Sequence, residues 1–191
     1  MKTTVGALFL LAVSGGPLHA IGLTQYAGAA HAYPAMLDLN GKRVATGEFT
    51  QEIEGHLLRI QITYDRINGG RIEEKATFQQ RAGLIQQKSS WRELRDETLQ
   101  REYTVDFDSG RAATRKRKKD GFKEWSEQVK IEQGRSFAGF GFTLALQNLR
   151  DRLGKGETIG LQAVGFTPKP RVVTVKLSYD GVDRIHMSSR S

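Results

Sequence analysis

Cysteine is absent from the 191 residues, which excludes disulfide staples and thiolate metal sites. Proline is nearly as scarce: Pro17, Pro34, Pro168 and Pro170 are the only four, so nothing from Ala35 to Thr167 interrupts a strand ladder. Aromatic residues are 8% of the chain, and beside its most basic run only Phe122 and Trp125 could stack a base, which disfavours nucleic-acid binding. No Asn begins an Asn-x-Ser/Thr acceptor. Acidic charge is in deficit, 21 residues against 29 basic, for a net +8. A positive surface favours anionic partners such as phosphate-bearing lipid or anionic polysaccharide.

The only sustained apolar run lies at the N-terminus, Val5 to Val13. Lys2 precedes it, Ser14-Gly15-Gly16-Pro17 breaks it, and Leu18-His19-Ala20 follows. This is the layout of a secretory signal peptide, and it is too short for a permanent span of about 20 residues. Residues 1–20 are therefore read as the signal and the protein as periplasmic or secreted. The cut lies between residues 20 and 32; we favour Ala20 over the small-x-small Ala30-His31-Ala32. No cysteine is present to be acylated. Losing Lys2 and no acid leaves 28 basic against 21 acidic residues, net +7. The remainder is long enough for one domain.

Residues 21–34, rich in Ala and Gly, read as a flexible N-terminal leader. Residues 35–191 read as a single β-rich domain. Leu58, Ile60, Ile62 and Tyr64 share one face of a strand, with Arg59, Gln61, Thr63 and Asp65 on the other. Ile72, Ala76 and Phe78 continue the pattern, as do Tyr103, Val105 and Phe107. Gly55-His56, Asn68-Gly69-Gly70, Asp108-Ser109-Gly110 and Asp120-Gly121 mark turns between successive strands. Short turns between strands imply an antiparallel meander. One segment changes period: Phe142, Leu146, Leu149 and Leu153 fall on one face of a helix that Gly154 stops. Strands over 157–165 and 171–179 follow, with a last short one near Val182 to Met187. The predicted fold is mainly β: a curved antiparallel meander or half-open barrel of about nine or ten strands with one late amphipathic helix, since a sheet this long must twist and curl.

Three segments together resemble a known group of proteins: Gly41-Lys42-Arg43-Val44-Ala45-Thr46-Gly47-Glu48-Phe49 opening the meander, the late helix ending in Leu153-Gly154-Lys155-Gly156-Glu157, and the Asp180-Gly181 turn near the end. The chain resembles exported bacterial proteins of the domain-of-unknown-function 3108 type and, more distantly, the open β-barrel of the periplasmic lipoprotein carriers LolA and LolB. The likeness covers roughly Ala35 to Ile185 and is one of element order. It implies a periplasmic, non-enzymatic curved sheet able to hold an acyl chain, and it carries over no binding residues.

No catalytic constellation accompanies this. His31, His56 and His186 stand alone, with no metal-ligand spacing. There is no Gly-x-Ser-x-Gly elbow and no phosphate-cradling glycine loop. Glu73 and Glu74 are strand neighbours pointing to opposite faces. Glu93, Asp96 and Glu97 are matched by Arg92, Arg95 and Arg101. Asp106-Phe107-Asp108-Ser109-Gly110 starts like a calcium loop, but its twelfth position is Arg117 where a carboxylate is needed, so it reads as a turn. An enzyme, a cofactor and a metal site are not expected.

Two features remain. Arg115-Lys116-Arg117-Lys118-Lys119, with Lys123 beyond the Asp120-Gly121 turn, makes a basic hairpin that could contact an anionic surface at about 1 kcal/mol per charge. A solvated tip whose charges deter edge pairing is the competing reading. Phe137, Phe140 and Phe142 form an apolar entrance to the helix. Core packing is their default role; the functional reading is a ligand pocket shared with Leu146, Tyr103 and Phe107. The expected function is an exported, non-catalytic binding protein for a lipid or other hydrophobic envelope ligand. The alternative is an envelope structural or assembly protein acting through protein or polysaccharide contacts.

Overall fold

The computed structural model describes residues 20–166 and 168–181. Twelve strands and one helix follow in chain order: β1 (Ala30–Ala32), β2 (Ala35–Leu37), β3 (Arg43–Glu54), β4 (Leu57–Arg66), β5 (Arg71–Gln80), β6 (Leu84–Arg95), β7 (Thr98–Asp106), β8 (Arg111–Lys118), β9 (Gly121–Gln128), β10 (Ser136–Phe137), α1 (Gly141–Gly154), β11 (Ile159–Phe166) and β12 (Pro170–Leu177). The mainly β fold expected from the sequence is present. β3 to β9 run as an antiparallel meander in which every strand pairs with its sequence neighbour. β1 and β2 both pair with the outer edge of β3, completing a nine-stranded sheet that does not close into a barrel.

The strands after the helix do not extend that sheet. β10 pairs parallel with β11, and β11 antiparallel with β12, as a separate three-stranded sheet. Helix and small sheet share the work of covering one face of the large sheet. Leu144, Ala145, Leu149 and Leu153 of α1 join Leu58, Ile60, Ile62, Ala76, Phe78 and Leu84 in one core cluster. A second cluster joins Val105, Phe107 and Ala112 to Ala138 and Val164. Alternation along each strand sends the intervening residues to the opposite face, which no other element covers among the described residues.

The turns follow the residue types that permit them. Gly55, Gly69, Gly70, Gly110 and Gly121 all have positive φ, as expected for the turns read from sequence. The β6–β7 turn escaped that reading because it lacks glycine: Asp96 and Glu97 adopt φ of 48° and 56° themselves. Two positive-φ residues in a two-residue loop match the twist of the flanking strands.

Residues 21–27 of the expected leader make specific contacts with the domain. Ile21 is buried in the main core, and its N–H and C=O bond Gly134 and Leu84. Asn148 Oδ1 accepts from the Thr24 and Gln25 amides at 2.9 and 3.1 Å. The Gln80 side chain pairs both ways with the Ala27 backbone. This anchoring also rotates the helix relative to its expected face. Asn148 is buried to serve the N-terminal segment, so Leu146 lies 42% exposed. Residues 1–19 of the expected signal and the last expected strand, near Val182 to Met187, lie outside the described residues. Among the described residues, no helix is long and apolar enough to cross a membrane.

Candidate functional site

The open face of the large sheet carries an extended candidate binding surface, and strand register lays it out. Thr50, Gln61, Lys75, Ser90, Thr104 and Ala113 stand directly opposite one another on β3 through β8. Most are short, so they floor a trough running across the strands. Five inter-strand spacings of ~4.8 Å make it about 24 Å long. Along one side stand Arg59, Thr77, Lys88, Asp106 and Arg111, again in register. Along the other, Glu73, Arg92, Glu102, Arg115 and Glu124 form an ion ladder of alternating sign. Its four contacts are 3.3, 3.4, 3.6 and 2.7 Å.

The trough encloses about 530 Å³, inside the roughly 300–1,000 Å³ of ordinary ligand sites. Its surface is mostly carbon, from small side chains and the stems of long ones. Its charge is unbalanced: Arg59, Lys75, Lys88 and Arg111 face only Glu52 and Asp106. Arg59 is paired with Glu54 at 2.8 Å. Lys75, Lys88 and Arg111 make no ion pair among the described residues. Asp106 is held below the usual carboxylate range by hydrogen bonds from the Ser109 amide and hydroxyl, with a smaller contribution from Lys88. Those bonds make Asp106-to-Gly110 a turn rather than a cation loop. Among the described residues, no group of three or more histidine or carboxylate side chains is placed to hold a metal.

Of the six residues expected to line a pocket, Phe137, Phe140 and Phe142 come together within the main core, while Tyr103, Phe107 and Leu146 lie elsewhere. Phe137 is fully buried in the main core, with Phe140 and Phe142 packed against that cluster and Phe142 edge-on to Phe137. Phe107 belongs to the second cluster. Leu146 faces outward from α1. Tyr103 is stacked between Trp91 and Phe166, with ring centroids 5.1 and 4.8 Å away. Side chains thus fill the space where a helix-covered cavity was expected. A small hollow of about 200 Å³ lies beside Tyr103, bordered by Glu74, Trp91, Val105 and Phe166, and a shallow one lies on the outer side of α1 beside Leu146, Leu153 and Tyr179.

The basic hairpin residues divide by face. Arg115 is occupied by Glu102 and Glu124 in the ladder. Arg117 donates to the Leu99 carbonyl and, like Arg115, lies over the Phe122 ring. Lys123 lies over Trp125. Lys118 and Lys119 are exposed at the tip, and Lys116 faces the other way, toward the helix-bearing side. Sequence reading put Arg59 and Gln61 on the polar face of their strand, gave Asp106 to a turn, and did not single out the other trough residues. The available signal was the recurrence of Thr, Ser and Ala at matching positions, which becomes a surface only once register aligns the strands.

Among the described residues, Glu74 is the carboxylate that burial perturbs most clearly. It accepts from the Phe140 amide, yet burial outweighs that bond and raises its pKa. Below the ordinary carboxyl range it is protonated whether the chain is folded or not. As pH rises through that range the unfolded chain ionises first, so the fold loses stability until Glu74 itself ionises. Glu74→Gln keeps an acceptor for Phe140 and cannot ionise. The variant is expected to gain stability near neutral pH and to match the parent near pH 4, as measured by denaturant titration at both. Gly139 must stay glycine: its φ is +52°, and a Cβ there would collide with the Glu74 carboxylate.

Comparison of the chain with family models, curated proteins and solved structures found no match.

Proposed function

We propose that the chain is an exported, non-catalytic binding protein of the cell envelope that holds a lipid or similar amphiphile with an anionic head in the trough of the large sheet. One observation carries this: a long carbon-lined trough bordered by Lys75, Lys88 and Arg111, which lack carboxylate partners among the described residues. Carbon surface favours an acyl chain, and uncompensated cations favour a negative head. Export rests on the signal layout of residues 1–20. The resemblance to the periplasmic lipoprotein carriers supports the same class, with the ligand on the face away from the helix instead of beneath it. Exposed Lys118 and Lys119 at the hairpin tip would dock the protein on an anionic envelope surface.

Ser90 tests the reading because its small side chain lies in the trough floor on a central strand. Ser90→Trp fills the trough while the core face is untouched. It is expected to abolish binding of a fluorescent fatty acid with little change in Tm. Unchanged probe affinity in a folded S90W protein would overturn the trough as the binding site. The filled space beneath α1 favours a second reading, an envelope structural or assembly protein acting through protein or polysaccharide contacts. On that reading neither the parent nor S90W binds the probe.

A further inference from the structure

The ion ladder on the trough side has a counterpart on the opposite face, one residue along each strand, and its charges do not balance. There Glu93, Arg101, Lys116 and Lys123 stand directly opposite one another on β6, β7, β8 and β9. Three cations in adjacent strands repel, and like charges placed opposite one another destabilise a sheet. The only carboxylate in the row is Glu93, already shared by Arg66 at 3.2 Å and Arg101 at 3.7 Å. Lys116 has no carboxylate partner among the described residues. Identical strands thus carry one fully neutralised rung and one left strongly positive.

Glu93, Arg101 and Lys116 border a cleft of about 240 Å³ closed at one end by the Asn68-Gly69-Gly70 turn. Arg66, Arg95, Arg101, Lys116 and Arg117 line it with Glu93 as the single acid. Neither α1 nor the small sheet contributes to it, and it shares no residue with the trough. The lining is polar, with Leu94 its one apolar residue, so an acyl chain gains little there. Guanidinium forks with one ammonium suit a compact oxyanion carrying several acceptor oxygens. We infer that this cleft between the β4–β5 turn, β6, β7 and β8 is a binding site for a phosphate monoester. A bound dianion would supply the charge that Lys116 and Arg101 lack.

The ester could be a soluble metabolite or a lipid headgroup, and two probes separate them. The full chain is titrated with glycerol 3-phosphate, following backbone amide chemical shifts. Separately it is sedimented with phosphatidylcholine vesicles containing phosphatidic acid. Saturable shifts around Arg66, Glu93 and Lys116 assign a soluble phosphate ester; binding confined to the vesicles assigns a lipid head. For whichever probe binds, Lys116→Gln is expected to weaken binding about tenfold or more. It should also raise Tm, because Arg101 loses a like-charged neighbour. The paired tip variant Lys118→Gln/Lys119→Gln separates this site from general attraction to the hairpin: its affinity for glycerol 3-phosphate is expected to stay within about twofold of the parent, whereas its attachment to anionic vesicles falls with the lost tip charges. Failure of both probes to bind, or a Lys116→Gln protein that binds as the parent does, overturns the site. Fatty-acid binding in the trough is unaffected by Lys116→Gln, so the two proposals fail separately.

Discussion

Replacing Gln86 with leucine is expected to destabilise the fold by about 3 kcal/mol and to lower Tm by roughly 6–12 °C. Gln86 is almost wholly buried on β6. Its Oε1 accepts from the Ala138 amide at 2.8 Å and its Nε2 donates to the Ala138 carbonyl at 3.1 Å. The side chain therefore does what a strand neighbour would do for the segment leading into α1. Leucine matches its bulk but pairs with neither group, and an unsatisfied buried donor or acceptor costs about 1–3 kcal/mol. Gly141 packs directly on the Gln86 amide, where an added Cβ would collide with it. Denaturant titration checks the figure. A Gln86→Leu protein as stable as the parent would mean that the helix entrance is held by apolar packing alone.

Reversing Lys75 and Lys88 together is expected to weaken binding of an anionic amphiphile by about 30-fold to 1,000-fold. Each reversal replaces an attraction with a repulsion, and two such changes at ~1–2 kcal/mol apiece give that range. Both lysines are exposed, stand on neighbouring strands and lack ion-pair partners among the described residues, so the fold itself has little to lose. The effect should shrink as salt is raised, because the charges are solvent-accessible. Affinity for a neutral acyl alcohol should hardly change. Fluorescent-probe titrations at low and high salt test both statements. Equal losses for anionic and neutral ligands would assign the binding to carbon contact alone.

The meander was legible because its signals are local. Leu58, Ile60 and Ile62 alternate with Arg59 and Gln61, and glycine turns separate the strands. Where a signal depended on distant partners, it failed. β11 and β12 alternate like the other strands, but nothing in their residues says that they form a sheet of their own. Residues 21–34 look loose in composition, yet Gln80 and Asn148, distant in sequence, hold Thr24, Gln25 and Ala27. Asn148 also turned the helix from the stripe that Phe142, Leu146, Leu149 and Leu153 outline. The trough is a property of register: Thr50, Ser90, Thr104 and Ala113 are unremarkable singly and make a floor only side by side. The same alignment separates Arg115, neutralised in the ladder, from Lys116, left uncompensated on the other face.

The central claim is that the exported protein carries an anionic amphiphile on the open face of its sheet. Native mass spectrometry of the protein purified from the exported fraction, followed by organic extraction of whatever is bound, tests it most directly. The account predicts a co-purifying acyl-chain species bearing negative charge, absent from the Lys75→Glu/Lys88→Glu protein prepared in the same way. A clean apo mass that stays unchanged after incubation with anionic lipids would contradict it and leave the envelope scaffold as the better reading.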